Sequence, residues 1–245
     1  MKHAVTCGLL AVLCTCPNAA HATGAYLGWD DCAGGGGSAI RTFACDTNAG
    51  SETIVGSFVP MPGISKFVAI EVRMEVAVEP TSSLPPWWSL YNTGTCRPHA
   101  LSASCDFSGT TSTCSTPWSE VTAGGIAAWQ NDWQGMPWRA RLSLAFAMPN
   151  DSAHALDPGT EYLAYRVTLR HDATVGAGAC AGCGQNACIV TTSARIYQPY
   201  EFDPSSHELV TNPVPVLSWQ AEVPQCPAIV PVRNRTWGSL KTRYR

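Results

Sequence analysis

The residues best spaced for chemistry are cysteines. Cys180-Ala181-Gly182-Cys183, with Cys188 close behind, has the C-x-x-C spacing shared by redox, haem and zinc sites. A redox thiolate needs a helix N-terminus, whereas the flanking residues read as strand and glycine turn. Haem attachment needs histidine where Gly184 stands. Zinc would recruit Cys226 as a fourth ligand, but an exported protein oxidises such thiols. Structural disulfides at a hairpin are the expected role.

Oxygen-bearing side chains alternate around a glycine turn at 46–52 (DTNAGSE), which suits calcium with Asp46, Asn48 and Glu52 as ligands. The full EF-hand pattern is absent, and the same residue types build an ordinary tight turn. No cofactor is expected; calcium is the ion this loop could hold. Tryptophans form a third candidate group. Trp118, Trp129, Trp133 and Trp138 fall close together, and Trp87 and Trp88 follow two prolines. Flat apolar rings on a sandwich surface stack on the C–H faces of sugars, so these six are the candidate ligand-binding residues. Their competing role is to plug the sandwich, because aromatics bury large areas. For hydrolysis, neither G-x-S-x-G nor H-E-x-x-H occurs. His99, His154, His171 and His207 lie in or beside turns without an adjacent nucleophile. Acidic residues could supply a glycosidase pair, but no spacing singles out two. No catalytic residue is named.

The elements that must position these residues are strands. At 68–79 every even residue is apolar and the odd ones include Glu71, Arg73, Glu75 and Glu79, so one face of an antiparallel strand is wet. The pattern recurs at 139–148, with Leu142, Leu144, Phe146 and Met148 inward, and at 161–170, with Leu163, Tyr165, Val167 and Leu169 inward. Shorter strands are expected at 53–59, 88–91, 188–192, 194–198, 208–210 and 214–219. Turn-forming clusters at 60–63, 149–152, 157–159 and 203–206 separate them. The interior helix candidate, 119–131, is weakened by Gly124 and Gly125. Many strands without long helices predict an all-β fold, an antiparallel, jelly-roll-like β-sandwich stapled by disulfides.

The chain opens with Lys2, an apolar run at 4–13 and Ala20-His21-Ala22, a secretory signal peptide at 1–22. A single sandwich domain is expected over 23–222, a proline-rich linker over 223–232 and a basic tail over 233–245. No apolar run is long enough for a transmembrane helix. Charged residues make up only 13% of the chain, against about 25% in ordinary domains. That excludes a nucleic-acid binder of the electrostatic kind. The charge is also unevenly spread: residues 23–232 hold nine basic and eighteen acidic groups, a net of −9, while the tail has five basic groups and no acid.

Nine cysteines follow the signal: 32, 45, 96, 105, 114, 180, 183, 188 and 226. Spacing does not fix their pairing. Local closures of Cys32 with Cys45 and of Cys96 with Cys114 are the natural expectation. Cys180, Cys183, Cys188 and Cys226 then form a C-terminal group, and Cys105 is the odd thiol. In the tail, Thr236 could cap a short helix with Trp237, Leu240 and Tyr244 on one face and Lys241, Arg243 and Arg245 elsewhere. So short a helix is marginal alone and would order by docking. Its partner would be its own domain, an export or surface-attachment machinery, or a second copy.

Sequence blocks extend these readings. They are 27–32 (LGWDDC), 43–51 (FACDTNAGS), 55–58 (VGSF), 86–90 (PWWSL), 94–97 (GTCR), 124–129 (GGIAAW), 159–162 (GTEY), 175–183 (VGAGACAGC) with 188–190 (CIV), and 234–245 (NRTWGSLKTRYR). In these the chain resembles a group of uncharacterised secreted proteins from genomes of uncultivated bacteria. The resemblance implies a secreted, disulfide-bonded β protein with a shared tail and brings no activity. It places Cys105 where the group lacks cysteine.

Together these features predict a secreted, non-catalytic sandwich, extracellular, on the cell surface or in the periplasm. It would bind a glycan or another surface component through its tryptophan-rich region, with the tail engaging export or assembly machinery. The alternative is a secreted carbohydrate-active hydrolase with unassigned carboxylates.

Overall fold

The computed structural model describes residues 22–78, 82–118, 125–211, 214–223 and 226. The signal peptide, the start of the expected helix, most of the linker and the tail lie outside these residues. Eleven strands are present: β1 (Gly24–Trp29), β2 (Ile40–Arg41), β3 (Ser51–Val59), β4 (Ala69–Val78), β5 (Leu101–Ser104), β6 (Gly125–Asn131), β7 (Arg139–Ala147), β8 (Tyr162–Arg170), β9 (Ala187–Tyr197), β10 (Ser206–Glu208) and β11 (Val216–Trp219). They build a β-sandwich. One sheet runs β1-β3-β8-β5 and the other β2-β11-β9-β4-β7-β6, with β10 beside β9. Consecutive strands from β1 to β6 alternate between the sheets, the jelly-roll-like trait. All strand pairs are antiparallel except β11 with β2.

Alternation decides the core. Ile70, Val72, Met74, Val76 and Val78 of β4 face Leu142, Leu144 and Phe146 of β7 and the inner residues of β8 in one buried cluster. Each such side chain contributes about 1.5–3 kcal/mol on burial. In β8 the expected inward set holds from Tyr165 onward. A bulge shifts the register between Gly56 and Ser57, and Leu163 turns to the other face, beneath Cys32 and Val55. Gly56 is needed there, because a Cβ would sit 2.1 Å from Tyr165 Cζ.

Two expected elements are corrected. The described part of the helix candidate, Gly125–Asn131, is β6, an edge strand on β7. Pairing overrode local propensity: Trp129 alternates into the core, and a Cβ on Gly125 would lie 2.2 Å from the Phe146 ring. The strand expected at 88–91 reduces to one parallel bridge, Leu90 with Arg97, after a 3-10 turn at Pro86–Trp88.

The disulfides are Cys32–Cys114, Cys45–Cys183, Cys96–Cys180 and Cys188–Cys226. The expected local closures of Cys32 with Cys45 and of Cys96 with Cys114 are therefore corrected to long-range staples. Cys180 and Cys183 do not pair with each other; they part to two different loops. Gly182 makes this turn with φ of 108° against Pro85, where a Cβ would approach to 2.3 Å. Cys105, the odd thiol, is buried, and burial raises its pKa.

Candidate functional site

On a two-layer sandwich the odd residues of β4 belong to the outer face of the large sheet. Glu71 and Arg73 behave accordingly, forming a half-exposed ion pair at 2.8 Å. Glu75 does not: it is 4% exposed on a face that alternation assigns to solvent. Antiparallel register sets it opposite Arg141 of β7, with Arg139 across from Ala77. Each carboxylate oxygen receives one arginine, Arg139 Nη2 at 2.5 Å and Arg141 Nη2 at 2.7 Å. A carboxylate removed from water needs such charge-assisted partners on both oxygens.

The cover over this trio comes from the residues joining β6 to β7. Trp133 lays its ring on the Arg141 guanidinium, 3.4 Å from its centroid, and Met136 Sδ accepts from Arg139 Nη1 at 3.2 Å. The turn that permits this places Asp132 and Gln134 at φ of 52° and 58°, followed by Gly135 at 72°. Non-glycine residues in this region carry a local cost and persist where surrounding contacts enforce them. Donors outnumber acceptors here. Among the described residues, Arg139 Nε, Arg141 Nε and Trp133 Nε1 are buried without a hydrogen-bond partner. On the next strand Gln130 pairs with Arg141 in register and is exposed.

Of the six candidate tryptophans, Trp87 and Trp88 are fully buried, and Trp118 and Trp129 nearly so. These four plug the sandwich, which removes them from any sugar-stacking surface. Trp87, Trp88 and Trp219 pack with centroids 5.0–5.8 Å apart, and Trp118 Nε1 donates to Ala164 O at 2.9 Å. Trp133 and Trp138 are half-buried, and both lie in the stretch that leads into Arg139.

The 46–52 loop is tied into the fold through its side chains. Asn48 Oδ1 accepts from the amides of Thr174 and Val175 at 2.7 and 2.9 Å. Glu52 faces Arg41 Nε at 3.0 Å and His171 Nε2 at 3.2 Å. His171 Nδ1 donates to Ala49 O at 2.7 Å, and Phe43 stacks on its ring at 3.8 Å. The Asn48 oxygen is thus taken by two backbone amides, and Glu52 is engaged by Arg41 and His171, which pins this loop to the end of β8. Asp46 is exposed. Cys32, Cys114 and Glu161 come together as well, but the two sulfurs are bonded to each other. Glu161 accepts from the amides of Ala33 and Gly34 and from Ser57 Oγ, holding the glycine-rich loop. Of the remaining histidines, His207 bonds Asp203 at 2.8 Å, His154 is half-buried and His99 exposed. The tail residues Thr236, Trp237, Leu240, Lys241, Tyr244 and Arg245 lie outside the described residues.

Sequence reasoning placed Arg139 and Arg141 outward as ordinary surface charges and left Glu75 solvated. Their convergence depends on the β4–β7 register, which no local pattern encodes.

No protein-family model matches the chain, and no curated protein does. Among solved structures, a cohesin module from a Clostridium perfringens ATCC13124 family 33 glycoside hydrolase matches at 7% identity with a TM-score of 0.36. The match covers 80% of this chain and 96% of that one. At those values the likeness carries no argument about function.

Proposed function

We propose that the protein is a secreted, non-catalytic β-sandwich that binds glycan at the outer face of its large sheet, with the C-terminal tail as a sorting or docking element. The observation that carries the reading is the placement of Trp133 and Trp138. Both are half-buried on the stretch joining the paired strands β6 and β7, and Trp133 stacks on Arg141 of the buried ion cluster. An aromatic edge on a rigid sheet is suited to stacking on a pyranose, because little order has to be gained on binding. Four disulfides fit an oxidising compartment. No helix among the described residues is long and apolar enough to cross a membrane.

The test is a glycan panel on the purified protein. Retention of at least one polysaccharide, weakened in Trp133→Ala and Trp138→Ala with unchanged thermal melting, is the expected result. Release of reducing ends from any polysaccharide in the panel would overturn the non-catalytic reading. Deleting residues 233–245 tests the tail: export or surface retention should fail while the body's binding and melting stay as they were.

A further inference from the structure

Two guanidiniums share one carboxylate on the outer face of the large sheet. Glu75 neutralises a single charge, so the Glu75–Arg139–Arg141 cluster retains one positive charge inside a body of net −9. Among the described residues of the adjoining rows, Arg73 is matched by Glu71, and Gln130 beside Arg141 is neutral. The Arg139 side chain is 8% exposed and is held from both ends, by Glu75 and Met136. Arg141 is 17% exposed and spends Nη2 on Glu75 while its Nε is buried, which leaves Nη1 as the donor for an incoming acceptor. Stacking on Trp133 fixes the plane of the guanidinium.

We infer that the glycan bound here is acidic: a uronate-containing polysaccharide whose carboxylate is received by Arg141 while its sugar ring lies against the indole of Trp133. This rests on the glycan-binding reading above and names its ligand class. A carboxylate supplies the missing charge and a charged acceptor for that donor, which a neutral sugar hydroxyl does not. The half-buried indole and the exposed amide of Gln130 favour a sugar ring behind that carboxylate over an acidic peptide.

The experiment measures binding of the intact secreted protein to polygalacturonate and alginate, to methyl-esterified polygalacturonate, to neutral xylan and to poly-glutamate. The polyuronates should bind, and methyl esterification should weaken binding about tenfold or more, the scale of one lost charged hydrogen-bond pair. Arg141→Lys, which keeps the charge but not the fork, should weaken polyuronate binding by about the same factor. If that variant fails to fold, the esterification comparison decides alone, since it uses the unaltered protein. Equal binding of esterified and free polyuronate, or of xylan and polyuronate, overturns the inference and leaves the glycan reading standing. Equal binding of poly-glutamate also overturns it, in favour of an acidic peptide. Binding to none of these probes or to any glycan overturns both.

Discussion

The guanidinium of Arg97 lies 3.7 Å from the centroid of the Trp87 ring, with both residues buried. Its donors go to main-chain carbonyls: Nε to Asp172 O at 2.9 Å, Nη1 to Trp87 O at 2.6 Å, and Nη2 to Arg170 O. Burial draws its pKa down to about 10, against the opposing pull of Asp172. The side chain therefore works as a clamp between the turn that carries Trp87 and Trp88 and the end of β8.

Replacing Arg97 by Met should lower stability by about 3 kcal/mol or more, because three carbonyls lose their donor and each unsatisfied group costs about 1–3 kcal/mol. Arg97→Lys should recover only part, as a single ammonium does not span all three. Urea unfolding measures both, and a loss under about 1 kcal/mol for the Met variant would contradict the clamp.

Glu75→Gln should destabilise the protein by about 3 kcal/mol or more, since it leaves two neighbouring guanidiniums without an anion. Glu75→Leu combined with Arg139→Met should cost less than the sum of the two single changes, because the residues share one network. A double-mutant cycle by urea unfolding checks the coupling. Strict additivity would show that the pair does not interact.

Non-reducing peptide mapping should recover Cys32 with Cys114, Cys45 with Cys183, Cys96 with Cys180 and Cys188 with Cys226. Iodoacetamide should label Cys105 in denaturant without reductant and leave it unlabelled in the native protein, where it is buried. Removing Cys96–Cys180, whose ends are 84 residues apart, should cost about 2–5 kcal/mol. A peptide joining Cys180 to Cys183 would refute this connectivity.

Asp203 is held at a pKa of about 2 by the hydroxyl and amide of Ser205 and by His207. A carboxyl depressed in the folded state contributes stability above its unfolded pKa, near 3.8, and the contribution is lost as pH falls through about 2. Protection of the Ser205 amide, its exchange referred to the intrinsic rate at each pH, should therefore fall over that window. In Asp203→Asn that protection should already be low at neutral pH and unchanged by acidification. A wild-type protein with no change over that window would show that Asp203 does not hold the turn.

Strands β4 and β7, and β8 from Tyr165 onward, were legible because each alternates and carries charges on its wet face. β6 was misread because its start, Gly125, is shaped by Phe146 on another strand, a contact invisible to local pattern. The odd thiol was legible, whereas the pairings were not: sheet topology brings Cys96 to Cys180 and Cys45 to Cys183 across 84 and 138 residues. The same limit hid the ion cluster. Arg141 reads as a surface charge until the register sets Glu75 beside it and Trp133 above it. Tryptophan abundance was visible, but burial sorts the rings by three-dimensional position, and it leaves Trp133 and Trp138 at the surface.

The bond between Cys188 and Cys226 joins the first residues of β9, an inner strand of the large sheet, to the chain just past β11. Tension applied to whatever follows residue 226 crosses through sulfur to Cys188, at the start of β9 and opposite Ala77 of β4. The loop closed between the two cysteines, which holds the rest of β9 and all of β10 and β11, is short-circuited and bears no load. Any tether attached to the C-terminus thus pulls on the middle of the sheet instead of peeling its edge.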